Sequence, residues 1–405
     1  MRNVIVGQSG GPTAAINASL VGVYETALSL GYDKVYGMEY GIEGLLDEKY
    51  VDLSEVLNGD IDIELLKRTP SSFLGSCRFK LPVIGENDSV YEKLFEILKK
   101  LDVSAFIYIG GNDSMDTISK MSDWASKTKS HIRCIGVPKT IDNDLPVTDH
   151  TPGYGSAAKY IGTVMKEIIL DSLVYNLRSV TVVEVMGRNA GWLTAAAALA
   201  KGSDCDGVDM ICLPERTFDI DAFVERVREL QNTKGNIVVA VSEGVKLADG
   251  RYVCEVANEK MSEDVFGHKN LTGTAKFLAD EISLKIGCKT RAIELNTLQR
   301  CSAHMSSRTD ITEAYNCGGA AAMAAHDDRS GDMVTLHRIS SKPYLCVTEL
   351  TDVHSVANME KLVPDAWITE DGFGLTEKFT EYAYPLIQAE LSPIFIGGLP
   401  KHIVR

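Results

Sequence analysis

The chain has 405 residues, of which 45% are hydrophobic and 24% are charged, and its formal net charge is −15. This length allows two domains with sizeable cores, and the composition is ordinary for a globular protein. The negative charge argues against nucleic acid or an anionic membrane as the main partner, because either would repel the chain.

The first predicted unit is a strand, a glycine turn and a helix. Residues 4–6 form a short apolar run, Gly10 and Gly11 follow, and residues 14–30 have the length of a helix. Such a unit offers backbone amides and a helix amino terminus to a phosphate. Taken alone the signal is weak, since many nucleotide-binding folds show it. The chain enters this strand directly, with no room for a signal peptide.

A second helix is predicted just before the next strand. Tyr91, Leu94, Phe95, Leu98 and Leu101 recur at helical spacing. We expect this apolar face to pack on the sheet as core rather than to hold a cofactor.

Two polar loops then follow two predicted strands and carry the main functional signal. The strand at residues 105–109 runs into Gly-Gly-Asn-Asp-Ser at 110–114, and the strand at 133–137 runs into Pro-Lys-Thr-Ile-Asp-Asn-Asp at 138–144. Glycines let amides approach an anion, and the acidic and amide side chains are ligands for a hard cation. Because ligands bind past the carboxyl ends of parallel strands, the loops together predict a magnesium-phosphate site and phosphoryl transfer. Either loop alone is equally compatible with a self-bonded turn.

Further strands are predicted at residues 180–185, 210–213, 237–241, 292–295 and 344–348, with a tightly packed helix at 195–200. This alternation of strands and helices is typical of a doubly wound α/β protein. The nine cysteines are scattered without a CxxC pair, which predicts free thiols in a reducing compartment. No apolar run reaches transmembrane length, so we expect a cytoplasmic protein.

Seven segments resemble, in the same order, the motifs of the phosphofructokinase family. They are Gly7-Gln8-Ser9-Gly10-Gly11, residues 73–79 with Arg78, Gly110-Gly111-Asn112-Asp113-Ser114, residues 140–144, Met186-Gly187-Arg188, Ser242-Glu243 and Leu298-Gln299-Arg300. The resemblance covers roughly the first 305 residues.

The resemblance implies an α/β fold with two Rossmann-like, doubly wound parallel-sheet domains and a C-terminal extension. Residues 1–145, rejoined by about 270–300, would bind the phosphoryl donor and magnesium. Residues 146–269 and 301–340 would bind the sugar phosphate, and residues 341–405 would form the extension, to which no role is assigned.

Asp113 and Lys139 bear on the phosphoryl donor. Members of the family that use ATP usually carry glycine at both positions, whereas those resembling the pyrophosphate-dependent branch carry aspartate and lysine. A carboxylate at 113 would add bulk and negative charge where the α-phosphate of ATP would lie. Lys139 would place a cation beside the transferring phosphoryl group. An ordinary surface salt bridge is the alternative interpretation of the two charges.

The resemblance also implies roles for individual residues. Asp142, Lys139 and Asp113 would be catalytic, with Asp142 taking the proton from the 1-hydroxyl of fructose 6-phosphate and Asp144 supporting the site. The donor-binding residues would be Gly10, Arg78, Gly110, Gly111 and Ser114. The residues that bind the sugar phosphate would be Thr140, Ile141, Asp142, Met186, Gly187, Arg188, Glu243, Arg291, Thr297, Gln299 and Arg300. Of these, Arg291 and Arg300 would grip the 6-phosphate, and Glu243 would accept hydrogen bonds from sugar hydroxyls.

Three positions depart from the family pattern. Asn112 stands where the family usually has a magnesium-binding aspartate, so we expect weaker Mg²⁺ binding or a metal that Asn112 shares with Asp113. Thr297 replaces an expected histidine or tyrosine, and Ser179 replaces an expected arginine, with Arg178 one position earlier. These two changes make sedoheptulose 7-phosphate a second candidate acceptor.

The sequence therefore predicts a Mg²⁺-dependent, reversible transfer of a phosphoryl group from pyrophosphate to fructose 6-phosphate, in a homodimer or homotetramer that serves glycolysis and gluconeogenesis. Three alternatives remain open. They are an ATP-dependent 6-phosphofructokinase that tolerates Asp113, a lipid or NAD kinase with a similar loop, and a non-catalytic regulatory subunit that binds sugar phosphate.

Overall fold

The computed structural model of the protein describes residues 2–174, 176–257 and 273–404. The strands are Asn3–Gln8 (β1), Val35–Met38 (β2), Tyr50–Asp52 (β3), Val103–Gly110 (β4), Arg133–Pro138 (β5), Ser179–Val185 (β6), Met210–Cys212 (β7), Asn236–Ser242 (β8), Lys289–Glu294 (β9), Asp332–Ser341 (β10), Tyr344–Asp352 (β11), Phe395–Ile396 (β12) and Leu399–Pro400 (β13). The α-helices are Ile16–Ser29 (α1), Gly41–Leu46 (α2), Leu53–Val56 (α3), Asp60–Arg68 (α4), Ser89–Lys100 (α5), Asn112–Thr128 (α6), Tyr154–Ser172 (α7), Trp192–Ala195 (α8), Ile220–Leu230 (α9), Val253–Ala257 (α10), Thr274–Ile286 (α11), Leu298–Cys301 (α12), Arg308–His326 (α13) and Glu377–Ala383 (α14).

The first sheet has the strand order β11-β10-β5-β4-β1-β2-β3. The pairs β1–β2, β1–β4, β4–β5 and β5–β10 are parallel, while β2–β3 and β10–β11 are antiparallel. From β1 the chain proceeds to β2 on one side, and β4 and β5 lie on the other side. The strand order thus reverses between β1 and β4, and their carboxyl ends form the crevice in which such sheets bind ligands.

Helices cover both faces of the first sheet, which explains the unbroken apolar runs of β1 and β4. Val4 and Val6 face a cluster that includes α1 and α13, whereas Ile5 faces the cluster of α5 and α6. Helices α1 and α13 approach each other so closely that a Cβ atom at Gly22 would lie 2.0 Å from the Tyr315 carbonyl oxygen. Burial of each large aliphatic side chain in these layers contributes about 1.5–3 kcal/mol to the free energy of unfolding.

The second sheet has the strand order β7-β8-β6-β9, and all of its strands are parallel. Val183 faces the cluster that contains α7 and α8, while Val182 faces the cluster of α9 and α11. The predicted α/β fold class is confirmed: the second sheet is parallel throughout, and the first is parallel except for its two edge strands, β3 and β11. The helix predicted at 195–200 is a short 3₁₀ helix, Ala196–Ala200, that continues α8.

The return of the chain to the first half differs from the expectation. Strand β9 pairs with β6, so the segment expected to rejoin the first domain at 270–300 completes the second sheet instead. The chain returns to the first half later, at α13 and β10: α13 packs on α1, and β10 pairs with β5. The segment from 341 onward is likewise not a separate extension, since β11 pairs with β10 along the edge of the first sheet.

The described part of the chain contains no helix that is both long and apolar enough to cross a membrane. All nine cysteines lie in that part and are free thiols.

Candidate active site

A cleft of about 590 Å³ lies between the carboxyl ends of the two sheets. The first sheet supplies the loops after β1, β4 and β5, and the second supplies the loops after β6 and β8 together with Arg300 of α12. The lining residues are Gly10, Gly11, Pro12, Arg78, Gly111, Asn112, Asp113, Ser114, Lys139, Thr140, Ile141, Asp142, Asp144, Met186, Arg188, Asn189, Ala190, Glu243, Arg300, Asn358, Met359 and Glu360. The prediction that the two polar loops face one site is confirmed by this arrangement.

Glycines allow the loops after β1 and β4 to come close to a ligand. Gly10 has a φ of 75°, and a Cβ atom there would lie 3.3 Å from the Lys139 Nζ. At Gly110, a Cβ atom would lie 1.9 Å from the Ser114 Oγ. Gly110 itself does not line the cleft, but it lets Ser114 turn under the loop. Helix α6 begins directly after this loop, so its amino-terminal amides and dipole favour an anion.

Lys139 is buried in the wall of the cleft, with 2% of its surface exposed. Its ammonium group donates a hydrogen bond to the Gly11 carbonyl oxygen at 2.7 Å. Burial lowers the pKa of Lys139 to about 8, while the carboxylates of Asp142 and Asp144 oppose this shift. The side chain is therefore desolvated and held in place, which makes its charge available to a bound phosphate.

Asp113 lies in a different environment from Lys139. Its carboxylate lines the cleft, but its side chain is 60% exposed and forms an ion pair with Lys80 at 3.2 Å. The proposed alternative of a salt bridge between Asp113 and Lys139 is wrong, because each charge has another partner.

The loop after β5 directs two carboxylates into the cleft. Burial, together with the charges of Asp144 and Glu243, raises the pKa of Asp142 to about 7. The Thr140 hydroxyl accepts a hydrogen bond from the Asp142 backbone N–H at 3.1 Å. The intervening Asn143 has a φ of 54°, a conformation that asparagine tolerates. A carboxyl group with a pKa near 7 can take up a proton at neutral pH.

Asp144 is the second carboxylate of this loop. Its Oδ1 atom is buried and has no hydrogen-bond partner among the described residues. Burial raises the pKa of Asp144, and the charges of Lys361 and Lys139 oppose that shift. An unpaired carboxylate oxygen inside a polar cleft is favourable only when a cation or a proton reaches it.

The loop after β6 brings Arg188 into the cleft. Gly187 has a φ of 139°, and its N–H donates to the Glu243 Oε1 at 3.3 Å. The Met186 N–H donates to the Gln299 Oε1 at 3.2 Å. Gly187 and Gln299 do not line the cleft. Their hydrogen bonds hold in place the loop that carries Met186 and Arg188.

Arg300 connects the two halves of the site. It lines the cleft, and a Cβ atom at Gly11 would lie 3.2 Å from its Nη1 atom. Burial raises the pKa of Glu243, while the nearby guanidinium groups of Arg188 and Arg300 oppose that shift. This wall therefore combines two guanidinium groups with the Glu243 carboxylate. Guanidinium groups can bind a phosphate, and a carboxylate can accept hydrogen bonds from hydroxyl groups.

Arg291 and Thr297, two residues expected to bind the sugar phosphate, lie outside the cleft of this chain. Arg291 lies within β9, three residues before the carboxyl end of the strand, so its side chain leaves the flank of the sheet rather than its ligand-binding edge. There its Nη1 is 2.8 Å from an Asp171 carboxylate oxygen, in a separate depression that Ser179 also lines. Thr297 is exposed just before α12 and does not line the cleft.

Asn112 also has a role different from the expected one. Its Oδ1 accepts a hydrogen bond from the Asn358 N–H, and its Nδ2 donates to the Met359 carbonyl oxygen, both at 2.5 Å. Both polar ends of the amide therefore bind the C-terminal part of the chain. The expectation that Asn112 is a metal ligand is not supported by this geometry.

We use the name C-terminal strap for residues 358–363, which cross the cleft from one half to the other. The Lys361 N–H donates to the Asp144 carbonyl oxygen at 2.7 Å, and the Lys361 carbonyl oxygen accepts from the Trp192 indole at 2.9 Å. Farther along, the Glu215 Oε1 accepts from the N–H groups of Val363 and Gly191 at 3.0 and 2.8 Å.

Sequence reasoning missed the strap because it matches no motif. Asn112 lies 246 positions before its partner Asn358, so no local pattern reveals the contact. One signal was present: asparagine at 112, in place of the family's aspartate, supplies the N–H donor that the strap uses.

The comparisons with known proteins agree with this architecture. The family model "Phosphofructokinase" matches residues 3–325. The chain is 42% identical over 403 residues to the pyrophosphate–fructose 6-phosphate 1-phosphotransferase of Halomonas elongata, covering 98% of this chain and 95% of the relative. The protein of the same name from Methylococcus capsulatus is 40% identical, with 99% and 95% covered.

A solved structure is also similar. The crystal structure of a pyrophosphate-dependent phosphofructokinase from Nitrosospira multiformis superposes with a TM-score of 0.89 at 38% identity, and the match covers 99% of this chain and 96% of that one. These matches extend through the C-terminal strap, far beyond the segment in which sequence motifs were recognised.

Proposed function

This chain belongs to the phosphofructokinase family, and we propose that it transfers a phosphoryl group from pyrophosphate to the 1-hydroxyl of fructose 6-phosphate, giving fructose 1,6-bisphosphate and phosphate. The observation that carries this proposal is the buried Lys139, whose ammonium group lies in the wall of the cleft between the phosphate-binding loops. The relatives named above bear the name of this reaction. The residues around Lys139 support the arrangement of donor and acceptor described below.

Pyrophosphate would bind on the loops after β1 and β4. The N–H groups near Gly11 and Gly111 and at the amino terminus of α6 would donate hydrogen bonds to its oxygens, with Ser114 and Arg78 at the same wall. Lys139 would neutralise charge on the phosphoryl group as it is transferred, and its burial strengthens that interaction. A nucleotide is not required to supply these contacts.

Fructose 6-phosphate would bind against the second half of the cleft. Arg300 and Arg188 are placed to bind its phosphate or ring oxygens, and Glu243 is placed to accept hydrogen bonds from its hydroxyls. Arg291 and Arg300 were expected to bind the 6-phosphate together. Within this chain Arg300 lines the cleft and Arg291 does not. Thr297 is exposed and does not line the cleft. Sedoheptulose 7-phosphate is the second candidate acceptor, and turnover measured with it in place of fructose 6-phosphate tests that choice.

Asp142 would act as the general base. As the 1-hydroxyl oxygen bonds to phosphorus, the bond from phosphorus to the bridging oxygen of pyrophosphate breaks and inorganic phosphate leaves. The hydroxyl proton passes to Asp142, whose pKa of about 7 suits acceptance and later release at neutral pH. In the reverse direction the same carboxyl group returns the proton to the sugar oxygen.

The residues of the cleft fit a Mg²⁺ ion that is shared with the phosphates of the substrate. The unpaired Oδ1 of Asp144 and the neighbouring Asp142 offer carboxylate oxygens, and Asp113 lines the same cleft. No group of three or more histidine, cysteine or acidic side chains in the described residues is arranged to hold a metal. Mg²⁺ usually binds through one or two carboxylates, substrate phosphates and waters, which agrees with this set. When bound, the ion would neutralise negative charge on the phosphates.

We also propose that the protein acts in the cytoplasm as a homodimer or homotetramer. Leu170, Leu173 and Val174 are exposed at the end of α7, beside the depression that contains Arg291. A group of neighbouring exposed apolar side chains is a candidate for contact with another copy of the chain.

The proposed function is tested by supplying fructose 6-phosphate and Mg²⁺ with either pyrophosphate or ATP at matched concentration and measuring fructose 1,6-bisphosphate. We expect product with pyrophosphate and at least about a hundredfold less with ATP. Equal or better activity with ATP would show that the enzyme accepts the nucleotide. Absence of product with both phosphoryl donors would favour the regulatory function, which binding of fructose 6-phosphate would then test.

A further inference from the structure

The C-terminal strap forms part of the cleft wall although it belongs to neither sheet. Asn358, Met359 and Glu360 line the cleft beside the residues of the phosphate loops. Met359 keeps 52% of its surface exposed, so its side chain is not used to fill a core. At this position the Met359 side chain can contact a ligand that extends out of the cleft.

The strap lies over the first two turns of α6. In addition to the two bonds with Asn112, the Asn358 Nδ2 donates to the Asp116 Oδ1 at 3.3 Å. From there the strap passes to the loop after β5, where Lys361 bonds to the Asp144 backbone. The strap therefore runs along the side of the cleft where α6 begins.

The position of the strap beside the start of α6 determines how far a bound phosphoryl donor can extend beyond its second phosphate. The transferred phosphate must lie near Asp142 and Lys139, and the second phosphate lies on the amides at the start of α6. Any group attached to the second phosphate would have to leave the cleft past the amino end of α6. Asn358 and Met359 stand at that end, and Glu360 follows them.

We propose that the C-terminal strap limits the phosphoryl donor to two phosphates, with Met359 and Glu360 as the specificity-determining residues. This inference rests on the proposed function, since it assumes that the donor is pyrophosphate. The Met359 side chain blocks a third phosphate or a nucleoside and offers it no hydrogen bond. The carboxylate of Glu360 repels a further phosphate. The strap acts in addition to Asp113, which lies in the first turn of α6, the helix that the strap crosses.

Asn112 is the positioning residue for this wall. Its amide donates one hydrogen bond to the strap and accepts another, and a carboxylate could only accept. Asn112→Asp would keep the hydrogen bond from the Asn358 N–H. It would also place a carboxylate oxygen against the Met359 carbonyl oxygen, and these two acceptors repel each other. The strap would then be released at this end, while Glu215 still holds the other end.

The test compares the binding of two nucleoside-free probes, pyrophosphate and tripolyphosphate, by titration calorimetry in the presence of Mg²⁺. We expect the unsubstituted protein to bind pyrophosphate at least about tenfold more tightly than tripolyphosphate. The double variant Met359→Ala with Glu360→Ala, and separately Asn112→Asp, should each reduce that ratio by about tenfold. Leu362→Ala is the matched control, because Leu362 lies in the strap, is exposed and does not line the cleft.

A ratio that stays within twofold of the unsubstituted protein in both variants would overturn the inference, as would equal binding of the two probes before any substitution. Because Asn112→Asp leaves the strap sequence intact, it decides the matter even if the double variant fails to fold. The result is also separable from the proposed function. Loss of pyrophosphate-dependent turnover in the unsubstituted protein contradicts the proposed reaction, whereas an unchanged binding ratio in an active enzyme contradicts only the strap.

Discussion

The loops after β4 and β5 leave adjacent parallel strands and face the same cleft, but their charged residues lie in opposite environments. Lys139, after β5, is 2% exposed and bonded to a backbone carbonyl. Asp113, after β4, has a side chain that is 60% exposed and paired with the exposed Lys80. Because water screens an exposed charge, the buried loop should carry the larger share of the chemistry and the exposed loop should adjust it.

The surroundings of the two loops explain the difference. In the loop after β5, Asn143 accepts a hydrogen bond from the Thr151 N–H at 3.0 Å and donates one to the Tyr382 hydroxyl at 2.8 Å. These contacts hold the loop between the two halves of the protein. The start of α6 instead projects its second residue, Asp113, toward water, where it pairs with the exposed Lys80, and the strap crosses the helix at Asn112.

The largest expected effect comes from removing the base in the buried loop. Asp142→Asn keeps the shape of the side chain but cannot accept the proton, so kcat should fall by about a hundredfold to ten-thousandfold. Steady-state kinetics with pyrophosphate measure the change. Asp113→Asn is the matched control, because the same chemical change in the exposed loop should alter kcat much less. Equal losses in the two variants would contradict the contrast between the loops.

Removal of the buried cation should have the next largest effect. Lys139→Met preserves length and apolar volume but removes the charge near the phosphoryl group, and we expect kcat to fall by about a hundredfold. Lys80→Met removes the exposed cation that pairs with Asp113 of the other loop, and it should change kcat by less than about threefold. Thermal unfolding of both variants checks that the fold is kept. A small effect at Lys139 would show that its charge does not act on the reaction.

The pH profile of kcat/KM should report the same buried pair. Asp142, with its pKa raised to about 7, must be deprotonated, and Lys139, with its pKa lowered to about 8, must be protonated. Activity should therefore fall about tenfold per unit below pH 7 and again above pH 8. In Lys139→Arg the guanidinium stays charged, so the alkaline limb should move to higher pH while the acid limb stays. An alkaline limb that does not move must belong to another group.

The smallest expected effect concerns the exposed carboxylate. Asp113→Gly alone should change the preference for pyrophosphate over ATP by about tenfold or less, measured as the ratio of the two kcat/KM values. Combined with Lys139→Gly, it should shift the preference further toward ATP. If the double change left the preference where it was, exclusion of ATP by this pair would be wrong, and the strap would be the remaining barrier.

Much of the fold could be predicted from apolar runs. The runs that became β1, β4, β5, β6 and β8 are buried strands, and the polar loops behind them line one cleft. The family resemblance named most of the residues that line it, and their catalytic roles stay predictions. The position of Arg291 outside this chain's cleft could not be predicted, because its distance from the end of β9 depends on the register of that strand with β6, which no local pattern shows.

The sequence by itself indicated the kind of chemistry, because two polar loops with glycines, acidic residues and a lysine follow two apolar strands whose carboxyl ends meet at one edge of a sheet. The tertiary structure decided which of these groups are buried, and burial sets the pKa of Asp142 and of Lys139. It also decided that Asn112 holds the C-terminal strap. Strand patterns and loop motifs are local properties of the chain, whereas desolvation and contacts between residues far apart in sequence exist only after the two sheets and the strap have come together.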